Sequence, residues 1–145
     1  MKLEWLLWLA SLFPQPLADQ TCLATTVYLE ARSEPRLGQM AVAEVALRRR
    51  QSGRWGDTVC AVVNARGQFA QSIVSKHYVI RNPRAWQKAW SVASDALANW
   101  SLPAHERQLV VPDADHFYAQ NIVTPAWSDS RVVAVIGGHS FVRVR

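Results

Sequence analysis

The decapeptide TVYLEARSEP (Thr26 to Pro35) sets two carboxylates four residues apart, Glu30 and Glu34, with Arg32 between them. Tyr28 and Leu29 precede Glu30, Ala31 follows it, and helical spacing brings Val27 and the Cys22–Leu23 pair onto neighbouring faces. Such a setting partly desolvates the carboxyl. Desolvation moves a glutamic acid from about 4.3 toward 6 or above, where it holds its proton at neutral pH and can give it to a leaving group. Arg32 opposes that shift if close, and Glu34 adds to it. Taken alone, an ordinary solvated glutamate at a helix end is the more economical reading.

Other constellations carry less. Asp115, His116, Ser128 and Ser140 are the types of a nucleophile, base and orienter, but no GxSxG elbow is present to expose a serine. Two cysteines, Cys22 and Cys60, and four histidines show no CxxC or HExxH spacing, so no metal and no cofactor is expected. His116 in DHFYAQ and His139 in IGGHSF lie among aromatics and glycines. They suit hydrogen-bonded structural histidines, and equally, with Tyr118 and Phe141 beside them, a sugar-binding surface.

The elements that must position these residues can be read from periodicity. Cys22, Leu23, Thr26, Val27, Leu29 and Glu30 recur at helical spacing from Thr21, and Pro35 ends that run, so Glu30 falls in a last turn. A second helix is predicted from Leu37 to Gln51, closed by Gly53. DTVCAVV, capped by Asp57 or Thr58, is read as a short helix. Asn82 to Trp100 is the clearest element: Asn82 caps, Pro83 takes the first position, and Trp86, Ala89, Trp90, Ala93, Ala96, Leu97 and Trp100 form an apolar stripe. After Pro103 the segments RQLVV, DHFYAQ, VVAVI and SFVRV carry the β-branched and aromatic residues of short strands. Helices first and strands last predict an α+β domain with a small C-terminal antiparallel sheet beside a helical body.

At 145 residues, half of them hydrophobic, the chain is expected to form one folded unit. The net charge of +5, with basic runs LRRR and VRVR, favours a polyanionic partner such as nucleic acid, anionic lipid or an acidic bacterial envelope, unless the runs are solvated ends. Seven tryptophans are many for this length; most are expected in the core, and exposed ones suit carbohydrate faces or membrane interfaces. WLLWLASLF, followed by PQPLADQ, reads equally as a short secretory signal or as an amphipathic or buried first helix ended by Pro14. Residues 1–20 are therefore set apart from a catalytic or binding unit at 21–145. Cys22 and Cys60 are compatible with a disulfide outside the cytoplasm or with two buried thiols inside it.

Five stretches together, CLATTVYLEARSEPRLGQMAVAEVALRRR, GRWGDTVCAVV, GQF, DHFYAQNIVTPAW and IGGHSFVR, resemble in order and spacing the SleB/CwlJ-type cell wall hydrolases, known from spore-cortex lytic enzymes and phage and bacterial lysins. The resemblance runs from Cys22 to Arg143. It implies a mainly helical, lysozyme-like domain acting on the glycan strands of peptidoglycan, with Glu30 as the catalytic acid. The implied activity is lytic transglycosylation between N-acetylmuramic acid and N-acetylglucosamine; a hydrolytic muramidase and a non-catalytic envelope or nucleic-acid binder are the alternatives. Glu34 is expected beside Glu30 as a supporting acid. Gln68, Phe69, His116, Tyr118 and His139 are nominated for substrate binding, and Trp127 as a wall residue, although core packing is its more ordinary fate.

The sequence departs from the family pattern at Glu44, at Leu47 to Arg49, at Asp115 and at Val142. The first two are expected to affect surface and packing, the last two the substrate groove. The expected partner is peptidoglycan, with the acidic envelope surface second and nucleic acid not expected, and the chain is expected to act as a monomer in the bacterial wall or periplasm. A phage endolysin or a small envelope enzyme fits this, reached by holin-dependent release or by export.

Overall fold

Every residue from Thr21 to Tyr28 is buried, which explains why this stretch lacks a polar stripe: the helix that carries it runs through the middle of the molecule. The computed structural model describes residues 1–120, 125–127 and 130–144. Its elements are α1 (Leu3–Leu12), α2 (Gln15–Ala31), α3 (Arg36–Ser52), α4 (Val59–Asn64), α5 (Ala70–Ile73), α6 (Pro83–Trp100), β1 (His116–Ala119), β2 (Arg131–Ile136) and β3 (His139–Arg143), with a 3-10 turn at Ala104–Glu106. α1, α3, α4, α5 and α6 all touch α2. The buried threonines of α2 satisfy their hydroxyls by bonding back to the helix, Thr21 to Leu17 O and Thr25 to Thr21 O, each at 2.8 Å.

α2 begins at Gln15, behind Pro14, and not at Thr21. Pro16 sits in its first turn, where its missing N–H costs nothing. A boundary at residue 20 therefore falls inside a continuous helix. The N-terminal segment is helical in the structure, and α1 buries Leu3, Leu6 and Ala10. No helix among the described residues is long and apolar enough to cross a membrane.

The other helices follow the local signals. α3 ends on Gly53 at φ 74°, a left-handed cap that a side chain would strain. Thr58 Oγ1 caps α4 by accepting from Ala61 N–H at 3.0 Å, and Asn82 Oδ1 caps α6 by accepting from Ala85 N–H at 3.0 Å. Cys22 and Cys60 are joined in a disulfide, tying α2 to α4.

The sheet is antiparallel with strand order β1-β3-β2. Its centre, β3, is buried from His139 to Val142, and Phe141 joins the helical core. The fold is the expected α+β arrangement. RQLVV, however, is not a strand: Val110 and Val111 direct their N–H groups to the Glu44 carboxylate at 2.7 and 3.0 Å. Arg48 completes the clamp by pairing with Glu44 at 3.0 Å and donating to Val111 O and Ala114 O. A side-chain anchor thus replaces the ladder that β propensity predicted.

Candidate active site

Glu30 stands in the last turn of α2 and faces a cleft of about 450 Å³ between the helical body and the sheet. Leu29, Gly67, Gln68, Tyr118, Trp127 and His139 line it with Glu30, and Arg49, His116, Phe117 and Ala119 complete it. The Glu30 carboxylate accepts a hydrogen bond from Ala70 N–H at 2.5 Å. That amide is held in place by Gln71, buried beneath it, whose side chain bonds Asn64 Oδ1 at 2.9 Å and Thr26 Oγ1 at 3.2 Å. Burial raises the Glu30 pKa above its ordinary value, against the smaller downward effects of the Ala70 N–H and the Arg49 charge. Burial thus favours the protonated acid, while a donor and a cation stand ready for its conjugate base.

Arg49 was not foreseen. It is 3% exposed, donates from Nε to Asp115 O at 2.8 Å and from a guanidinium nitrogen to Gln68 Oε1 at 3.1 Å, and lies against the rings of Trp55 and Phe69 at 4.6 and 4.9 Å. Burial lowers its pKa to about 10, while Asp115 and Glu30 raise it, so it is charged throughout the physiological range. The basic run LRRR had suggested either attraction to a polyanion or a solvated helix end. A signal was present: Val42, Val45, Ala46 and Arg49 share one helical stripe, so the arginine continues the buried face of α3. Arg32, by contrast, is exposed and bonds Tyr78 Oη at 2.5 Å, away from Glu30.

β1 and β3 bring the other wall. His116 Nδ1 is 2.9 Å from Asp115 Oδ1. An ionised carboxylate only accepts, so Nδ1 carries the hydrogen and Nε2 is the acceptor. Burial pushes the Asp115 carboxyl up, but Val144 N–H, His116 and Arg143 together hold it below its ordinary value. Burial lowers the His116 pKa, with Asp115 opposing and Arg49 and Arg54 assisting. Burial likewise lowers that of His139, opposed by Glu34. Trp127 stands edge-on to Tyr118 at 5.7 Å and 4.9 Å from the His116 ring, on the side of the cleft.

Of the nominated binding residues, Gln68, His116, Tyr118 and His139 line the cleft. Phe69 does not: it is 1% exposed and packs beneath the site against Arg49 and Phe117. It supports the cleft floor, because the chain turns its ring inward just before α5. Glu34 does not line the cleft either. α2 has ended at Ala31, and the intervening turn swings Glu34 to the β2–β3 turn, where its carboxylate accepts from Gly138 N–H at 3.2 Å and lies 3.5 Å from His139 Nδ1. Gly137, at φ 56°, must be glycine there, since a Cβ would strike the Glu34 carboxylate. Glu34 fastens the hairpin that presents His139. Among the described residues lining the cleft, Glu30 is the only carboxylate. Glu44 and Asp115 are committed to backbone amides, and Asp113 lies at a separate pocket with Arg48 and Trp100. The described residues hold no group of three His, Cys, Asp or Glu side chains able to bind a metal.

The fold and site together define a mainly helical α+β domain with one desolvated carboxyl group in an aromatic-walled cleft. The chain belongs to the cell wall hydrolase family, whose family model matches residues 33–142, beginning three residues after Glu30. It is 29% identical over 126 residues to a spore cortex-lytic enzyme of Bacillus cereus, covering 86% of this chain and 44% of that protein. With the spore cortex-lytic enzyme of Oceanobacillus iheyensis it shares 30% over 126 residues, 86% of this chain and 41% of that one. The chain thus spans less than half the length of these curated relatives. Among solved structures it resembles the catalytic domain of the germination-specific lytic transglycosylase SleB from Bacillus anthracis (TM-score 0.69, 26% identity, 90% of this chain and 97% of that one). It also resembles the catalytic domain of the Bacillus cereus SleB protein (TM-score 0.64, 28% identity, 86% and 89%).

Proposed function

We infer that the protein is a lytic transglycosylase that cuts peptidoglycan between N-acetylmuramic acid and N-acetylglucosamine, with Glu30 as its single catalytic acid and base. The carrying observation is the solitary carboxyl group of the described cleft, raised in pKa by burial and backed by Ala70 N–H and Arg49. A hydrolase of inverting or retaining type needs a second carboxyl group roughly 5–9.5 Å from the first. Among the described residues Glu34, Glu44, Asp113 and Asp115 are turned to other work.

In the first step Glu30 gives its proton to the glycosidic oxygen as the bond to the muramic acid anomeric carbon breaks. The carboxylate so formed is stabilised by the Ala70 N–H and the Arg49 charge. It then takes the proton of the muramic acid 6-hydroxyl as that oxygen attacks the anomeric carbon, closing the 1,6-anhydro ring and restoring the acid. The nucleophile is intramolecular, so high effective molarity replaces a base-held water. Tyr118 and Trp127 offer ring surface to sugar faces, while Gln68, neutral His116 and neutral His139 offer hydrogen bonds to hydroxyl and acetamido groups.

The work belongs in the cell wall, outside the cytoplasm. The Cys22–Cys60 disulfide supports an oxidising compartment, and the net charge of +5 suits an endolysin, whether of phage or bacterial origin, that must stay on an acidic envelope. A cleft formed within one chain supports action as a monomer. Glu30→Gln tests the reading: the variant is expected to fold and bind purified peptidoglycan yet release no soluble muropeptides, whereas wild-type release by it overturns the assignment.

A further inference from the structure

α1 is apolar on two opposite faces. The inner face, Leu3, Leu6 and Ala10, is buried on the body. Bonds from Leu3 N–H to Tyr78 O at 2.8 Å and from Glu4 N–H to Lys76 O at 3.0 Å, with a bridge between Lys2 and Val79, fix the helix there. The outer face carries Trp5, Trp8 and Leu12, exposed by 57, 62 and 63%. Their spacing of three and four residues makes one continuous stripe. Of the eleven exposed large hydrophobics among the described residues, Met1, Trp5, Trp8, Leu12 and Leu17 all belong to this end of the chain, so the exposure is a patch and not a scatter. A helix apolar on both faces meets an apolar phase on each.

The chemistry of the patch says what that phase is. Tryptophan favours the boundary between lipid headgroups and acyl chains. Lys2 Nζ stands 5.7 Å from the Trp5 ring, and Lys76 and Arg81 are exposed on the segment that pairs with the start of α1. The acid of α1, Glu4, faces His77 at 3.7 Å. An aromatic centre with a cationic rim complements an anionic lipid surface; a second copy of the chain would bring the same positive rim against it. α1 is too short to cross a bilayer, so it lies on one.

We propose that the outer face of α1 is a docking surface for an anionic phospholipid bilayer, with Trp5, Trp8 and Leu12 entering the interface and Lys2, Lys76 and Arg81 meeting lipid phosphates. The surface is separate from the cleft, and its test needs no glycan, so it stands or falls apart from the proposed activity. The intact chain is mixed with vesicles of phosphatidylglycerol and phosphatidylethanolamine, or of phosphatidylcholine alone, and sedimented. The chain is expected to pellet with the anionic vesicles, several-fold less with the neutral ones, and less at high salt. Trp5→Gln/Trp8→Gln, both at exposed positions, is expected to lower the partition coefficient roughly tenfold or more with an unchanged melting temperature. Equal pelleting of variant and wild type, or none by the wild type, overturns the proposal. So does a concentration-dependent dimer in light scattering that the double variant abolishes without any vesicle binding.

Discussion

Reduction of the Cys22–Cys60 bond gives a prediction whose size follows from the fold. The disulfide spans 38 residues of sequence and joins α2, whose last turn carries Glu30, to α4, which leads to the Ala70 amide. Loop-closure entropy for a loop of that length is about 13 cal/mol/K, or about 4 kcal/mol at 25 °C. For a chain of 145 residues, an unfolding entropy of about 0.3 kcal/mol/K turns this into a fall in melting temperature of about 13 °C. Calorimetry of one preparation with and without a phosphine reductant isolates the effect, because reduction leaves the packing atoms in place. Cys22→Ala/Cys60→Ala should fall slightly further, since Cys22 is buried in the core. Coincident melting curves for the oxidised and reduced chain, or two titratable thiols in the native protein, would refute the reasoning and remove the support for an oxidising compartment.

Other predictions concern the site and its frame. Burial favours the protonated form of Glu30, so between its ordinary pKa and its raised folded value the native state binds more protons than the unfolded chain and stability falls as pH rises; Glu30→Gln should therefore be as stable as wild type or more so at neutral pH, and a destabilised variant in urea titration contradicts this. As an acid, Glu30 works below its folded pKa, so activity should be lost as pH rises through that value. Arg49→Met removes a charge that lowers the Glu30 pKa; the alkaline limb of the pH–rate profile should move upward while turnover falls about 10–100-fold, and an unmoved limb rejects the coupling. Glu44→Ala leaves the Val110 and Val111 amides and the Arg48 charge unanswered, which should cost about 3–5 kcal/mol in urea unfolding; a loss below about 1 kcal/mol shows that the clamp is idle.

Local signals in the sequence sufficed for the frame and not for the site. Gly53, Thr58 and Asn82 mark their helix ends because capping is settled within four residues of chain. The start of α2 was hidden because PQPLADQ carries leader-like residues, and only its packing reveals that they are helical. RQLVV was misread because a carboxylate on another helix takes its amides. Glu30 could be singled out only by its company in distant segments, since burial of a carboxyl depends on what folds over it. Glu34 was set beside Glu30 by assuming that the helix continued; the turn after Ala31 sends it to Gly138. Arg49 is the plainest omission. Its place on the apolar stripe of α3 was readable, but three arginines in a row suggested a polyanion or solvent.

The proposed chemistry makes Glu30 serve one glycan twice with no water, and the fate of solvent oxygen tests that directly. Purified peptidoglycan is digested in heavy-oxygen water and the fragments are read by mass spectrometry. The account predicts 1,6-anhydromuramic ends, one water lighter than reducing ends and free of the label. Reducing muramic acid ends that carry heavy oxygen would contradict it and require a second group in the cleft to activate water.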